Sequence, residues 1–75
     1  MLLPIASVEK LIRKAGAYRV SKDASKELGS HLEKKATEIT REAVMLAEHA
    51  GRKTVKAEDI SLARMRISGQ VRGSG

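Results

Sequence analysis

Residues 21–50 read SKDASKELGSHLEKKATEITREAVMLAEHA. Within them Ala24, Leu28, Leu32, Ala36, Ile39, Ala43, Leu46 and Ala50 recur at steps of three and four without a proline, which predicts one long amphipathic helix. Ser21 stands where a side-chain cap is wanted, and Gly51 stands just past the last periodic residue, where a left-handed cap closes a helix. At 1.5 Å per residue, positions 21–49 make a rod of roughly 43 Å. A compact chain of this length has a radius of gyration of only roughly 11 Å. The rod outruns its own chain, so its apolar stripe calls for a second copy: a two-fold dimer in which two long helices cross and each short helix covers the partner's exposed stretch.

Upstream, residues 4–14 predict a short helix, with Pro4 at the first helical position and Ile5, Val8, Leu11, Ile12 and Ala15 on one face. Gly16 ends it, and Tyr18-Arg19-Val20 alternates as a brief extended piece. Downstream, Lys53-Thr54-Val55 is a second extended piece. Ala57-Glu58-Asp59 then opens a third helix, its acids in the first turn where the helix dipole favours them, with Ile60, Ala63 and Ile67 facing inward and Leu62 to one side. Positions 68–75 have no period and read as a flexible C-terminal tail. The expectation is an all-α domain over 1–67, short helix, long helix, short helix.

Composition narrows the function. The 75 residues carry 15 Lys and Arg against 9 Asp and Glu, a net charge of +6, with no Cys and two His. So small a chain buries only ~60 % of its unfolded surface. Disulfides are closed to it, and His31 and His49 alone make a poor metal site, so stabilisation falls to a partner chain and no cofactor is expected. Nothing approaches the roughly 18 apolar residues that span a bilayer. With one Tyr and no Phe or Trp, the chain cannot build the stacking platforms of single-strand binders, which points a nucleic-acid partner toward a duplex, while composition alone leaves DNA, RNA and an anionic membrane open. No catalytic constellation is present, and the carboxylates of the long helix alternate with lysines as solvent-face pairs, so an enzyme is not expected. A membrane-surface helix would need a continuous basic face.

The charge is segregated. The long helix holds five cations and six anions, a net of −1, so the rest carries +7. Lys10, Arg13, Lys14 and Arg19 lie in a stretch without an acid, Arg52, Lys53 and Lys56 surround the second turn, and Arg64, Arg66 and Arg72 occupy the end. Basic turns beside helix starts suit successive phosphates.

Three stretches carry a resemblance: LPIA at 3–6 with AGAYRVS at 15–21, EAV at 42–44, and above all HAGRKTVKAEDI at 49–60. Over about residues 3 to 66 the chain resembles the archaeal histones. The resemblance implies the histone fold, paired head to tail as an obligate homodimer or a heterodimer with a related histone, wrapping double-stranded DNA on the chromosome in the cytoplasm. It implies that Arg19 enters the minor groove, steadied by Thr54 of the partner's second turn. It further implies that Lys53 and Lys56 hold phosphates and that Lys10, Arg13 and Lys14 do so near the dyad. Arg52 and Asp59 resemble an intrachain ion pair that fixes the second turn. Leu46, His49, Asp59 and Leu62 resemble a contact through which dimers stack, His49 of one reaching Asp59 of the next. The chain departs from the family pattern at Ser7, where a proline is common, at Tyr18, where an acid is frequent, at Ile67, where an aromatic is often found, and at Gly29-Ser30 inside the long helix, where Gly costs ~1 kcal/mol relative to Ala.

Overall fold

The computed structural model describes the backbone of residues 1–74 and the side chains of residues 1–68. Three helices follow one another: α1 (Ile5–Lys14), α2 (Lys22–His49) and α3 (Ala57–Ser74). The chain divides into two compact units, Met1–Lys35 and Ala36–Gly75, and α2 contributes a half to each.

In the first unit Pro4 is the N-cap of α1, not its first helical residue: its φ of −64° suits a helix but its ψ of 133° is extended. Its carbonyl accepts the N–H groups of Ser7 and Val8. Ser21 caps α2, its Oγ accepting the Ala24 N–H at 3.0 Å, one of the donors a helix start leaves orphaned. Val8 of α1 is buried together with Ser25 of α2. A Cβ built on Gly29 would lie 2.7 Å from the Met1 Sδ and 3.4 Å from a Val8 methyl. Gly29 thus leaves room for the end of the Met1 side chain, while a Cβ there would meet Val8 of α1 only at ordinary contact distance. The Glu33 carboxylate ties the N-terminal segment down, accepting the N–H groups of Leu2 and Leu3.

In the second unit the small residues Ala43 and Ala47 of α2 and Ala63 of α3 are buried, with Asp59 beside them. Arg66 of α3 reaches Glu42 of α2 at 2.9 Å.

Of the predicted stripe, Ala43 is buried and Leu28, Leu32, Ile39 and Leu46 are half-buried, while Ala24, Ala36 and Ala50 are exposed; Ser25, Gly29 and Ala47 are buried beside it. An amphipathic rod with apolar residues at both three- and four-residue steps has a wide apolar sector, and a short helix covers only its edge. On α3 the inward row is Asp59, Ala63 and the half-buried Ile67, whereas Ile60 is exposed; the ion pair described below turns Asp59 inward. Tyr18-Arg19-Val20 and Lys53-Thr54-Val55 form no strand, since a ladder needs a neighbour to exchange hydrogen bonds with. Finally, α3 continues past Ile67 to Ser74, where a tail was expected: once a helix is nucleated each further residue adds a hydrogen bond, and positions 68–74 contain no proline to stop it.

Candidate nucleic-acid interface

The basic residues singled out in the sequence cluster around two turns, and both turns begin identically. At the end of α1 the Gly16 N–H donates to the Arg13 carbonyl at 2.9 Å and the Ala17 N–H to the Ile12 carbonyl at 3.3 Å. At the end of α2 the Gly51 N–H donates to the Glu48 carbonyl at 2.9 Å and the Arg52 N–H to the Ala47 carbonyl at 2.9 Å. These crossed bonds are Schellman motifs, which place the capping glycine at positive φ. Gly16 has φ +120° and Gly51 φ +74°, the only positive φ values among the described residues. A Cβ at either would meet nothing within 4 Å, so conformation alone, not space, requires glycine there.

Beyond the caps the turns are held differently. In the second, the Arg52 guanidinium makes a two-pronged contact with Asp59, NH1 to Oδ2 and NH2 to Oδ1, both at 2.9 Å, and donates to the Thr54 carbonyl at 2.8 Å. The Lys56 N–H donates to Asp59 Oδ2 at 2.8 Å, so the third residue of α3 reaches back to satisfy an N-terminal donor of its own helix. The Asp59 side chain is 6 % exposed and that of Arg52 25 %. Hydrogen bonds from the Arg52 side chain and then the Lys56 backbone outweigh burial, and with the positive charge of both residues they hold the Asp59 carboxyl down at about 2. The same contact with Asp59 raises Arg52 above its ordinary value.

In the first turn, Arg13 takes the corresponding place. Its NH1 donates to the Tyr18 carbonyl at 3.1 Å, and its Nε and NH2 each lie 3.1 Å from Glu9 Oε2. The basic stretch from Lys10 to Arg19 is thus flanked by an acid that neutralises one of its members. Four-residue spacing along a helix brings Glu9 and Arg13 together, a signal present in the sequence but lying one residue outside the acid-free window that begins at Lys10.

Lys10, Lys14, Arg19, Lys53, Thr54 and Lys56 are all exposed, and among the described residues the charged ends of Lys10, Lys14, Arg19 and Lys53 have no ion-pair partner. Of the residues with a stacking assignment, His49 and Leu62 are exposed, Leu46 is half-buried and Asp59 is buried.

Residues 1–63 match the family model described as histone-like transcription factor (CBF/NF-Y) and archaeal histone. The chain belongs to that family. It is 61 % identical over 61 residues to a protein of Thermococcus zilligii named as one of the subunits of archaeal histone HAN1, and 51 % identical over 61 residues to "Probable archaeal histone 3" of Methanocaldococcus jannaschii. Each match covers 81 % of this chain and 91 % of the relative. Membership of the histone family carries a DNA-binding, architectural role and explains the short-long-short order of the helices. Among the described residues no group of three or more His, Asp or Glu is placed to hold a metal, and no helix is long and apolar enough to cross a membrane.

Proposed function

We propose that the chain works as a dimer, with itself or with a related histone, that wraps duplex DNA largely without regard to sequence, and that such dimers stack along DNA to compact the chromosome in the cytoplasm. The observation that carries the reading is the pair of glycine-capped turns, each fixed by an internal guanidinium while its remaining cations stand unpaired in solvent. An internal anchor makes a turn rigid and an unpaired cation makes it available; each turn by itself therefore suits the grip of a phosphate.

In this mechanism Arg19 enters the minor groove, where narrowness and negative potential attract a guanidinium without reading base identity. Thr54 of the partner chain steadies it, and Lys53 and Lys56 hold flanking phosphates. Lys10 and Lys14 act near the dyad. Arg13, with all three nitrogens facing Glu9 or Tyr18, contributes less charge there than its neighbours. Dimerisation is supported by the apolar side chains left in water by a single chain: Leu11, Val44, Met45, Ile60 and Met65 are all exposed, which is costly at about 25 cal/mol per Å². Stacking uses Leu46, Leu62, His49 and Asp59. The Asp59 carboxylate already accepts three hydrogen bonds, and with about four lone-pair directions it keeps one for His49 of the next dimer.

Nuclease digestion of the protein on long duplex DNA tests the whole reading, with protected fragments expected at regular increments. His49→Ala, which leaves the Arg52–Asp59 contact in place, removes that regularity while sparing the binding of single dimers. Arg19→Ala weakens binding across unrelated sequences and, with two copies per dimer, lowers the salt slope by about 2 while leaving the dimer intact. No binding to long duplex DNA in moderate salt turns the assignment to a histone-fold protein that pairs with a different chain.

A further inference from the structure

Tyr18 is the chain's one aromatic residue, and it is 89 % exposed. The ring packs against nothing in its own chain, while the backbone that carries it is held. The pinning is specific: Arg13 holds the Tyr18 carbonyl at 3.1 Å and Glu9 holds Arg13, while Gly16 closes the preceding helix. The backbone is fixed at the residue that carries the ring, and the ring itself has only two side-chain torsions to order on binding. Around it in sequence stand Lys14, Arg19 and Lys22, and no acid lies between Lys10 and Lys22.

We propose that Tyr18 is a DNA contact in its own right, a claim that rests on the duplex-binding reading above. Its ring lies against the sugar–phosphate backbone at the edge of the groove that Arg19 enters, and its phenol O–H donates to a phosphate oxygen. The phenol is a neutral donor and acceptor. It therefore adds a directional hydrogen bond without adding charge. One aromatic per turn is no stacking platform, but it is enough to fix register on a backbone whose positively charged contacts do not. A protein partner for the ring is disfavoured by the cations on either side.

The composition supplies the probe. With no Trp, Tyr18 is the chain's main intrinsic emitter, so emission excited near the tyrosine band reports on this side chain alone. Titration of the wild-type protein with a long random-sequence duplex, corrected for DNA absorbance, is expected to quench that emission to an equivalence point matching one obtained independently by mobility shift. Tyr18→Phe is expected to weaken binding about fivefold for each of the two copies in a dimer, the worth of one hydrogen bond near 1 kcal/mol per copy, with the slope of log affinity against log salt unchanged, because no counterion is released by a neutral group. Tyr18→Ala is expected to lose about tenfold or more per copy, and Tyr18→Glu to lose most. Unchanged affinity in Tyr18→Ala overturns the proposal whatever the emission does, while leaving the wrapping reading intact. Emission that responds to protein concentration and not to DNA also overturns it, assigning the ring to a contact between chains. A wild-type protein that binds no duplex at all defeats the wrapping reading first, and this proposal with it.

Discussion

The two turns share a beginning and part company at their anchors. Each opens with a Schellman motif at a glycine, and each uses an arginine to hold a backbone carbonyl further along: Arg13 that of Tyr18, Arg52 that of Thr54. The acids behind those arginines differ. Glu9 and Arg13 are 40 % and 49 % exposed and meet along one helix, whereas Asp59 is nearly buried, meets Arg52 with both oxygens and caps α3 as well. A charge-assisted, two-pronged contact in a dry setting fixes geometry far more tightly than a wet i,i+4 pair. The second turn is locked, and the first is braced but open to water. On the proposed function, rigidity suits the second turn, assigned to steady an arginine and hold phosphates, and a braced, exposed first turn suits the presentation of Tyr18 and Arg19.

Removing the lock is the harshest way to break this comparison. Asp59→Ala leaves a partly buried guanidinium with only the exposed Glu58 carboxylate at 3.9 Å as an ionic partner and deprives the Lys56 N–H of its acceptor. Thermal unfolding followed by circular dichroism at fixed protein concentration is expected to show a larger fall in melting temperature than any other substitution considered for the two turns. The same lock has a pH signature. Because the folded carboxyl sits at about 2, below its ordinary value of 3.8, the pair's contribution is complete above pH 3.8 and is lost as the pH falls toward 2. Asp59→Asn flattens the melting temperature's dependence on pH in that window; an unchanged profile assigns the acid sensitivity to other carboxylates.

The glycines sharpen the comparison next. Neither would clash on gaining a Cβ, so Gly→Ala measures backbone conformation alone. Gly51 at φ +74° lies beside the small left-handed region open to other residues, while Gly16 at φ +120° lies well outside it. Gly16→Ala is expected to cost about 2 kcal/mol and Gly51→Ala about 1 kcal/mol, read from denaturant midpoints. Equal costs would mean that the first turn relaxes to a conformation alanine accepts, and hence that its brace is weak.

Much of this was legible in the sequence. The period of positions 24–50 implied α2, Gly16 and Gly51 marked the stops, Ser21 marked a start, and the run from His49 to Ile60 pointed to the family. Three things were not. The burial of Ser25, Gly29 and Ala47 beside the expected stripe follows from a wide apolar sector that admits more than one line of contact, and pattern alone does not choose between them. Gly29 looked like a cost in isolation, since nothing in the sequence says that Met1 and Val8 come close to it. The inward turn of Asp59 in place of Ile60 depends on where Arg52 ends up, which is a property of a folded turn and not of helical periodicity. The Glu9–Arg13 brace was available from spacing alone, and a count of positive charge per window hides it.

That brace is the subtlest part of the comparison to test. Arg13→Ala removes an exposed pair that contributes ~0–1 kcal/mol and a single bond to a carbonyl that water can replace, so stability is expected to change by no more than about 1 kcal/mol. The effect belongs instead to the turn it braces. Hydrogen exchange at the amides of Ala17 to Val20 is expected to accelerate while exchange at Lys53 to Val55 stays as it was, because local opening is set by local restraints. Glu9→Ala provides the control: it frees the Arg13 charge without removing the donor to Tyr18, so it should leave the first turn's protection largely intact and raise the salt slope of DNA binding if Arg13 then reaches a phosphate. Were Arg13→Ala to accelerate exchange in both turns alike, the brace would be part of one cooperative opening of the chain, and the distinction between a locked turn and a braced one would not hold.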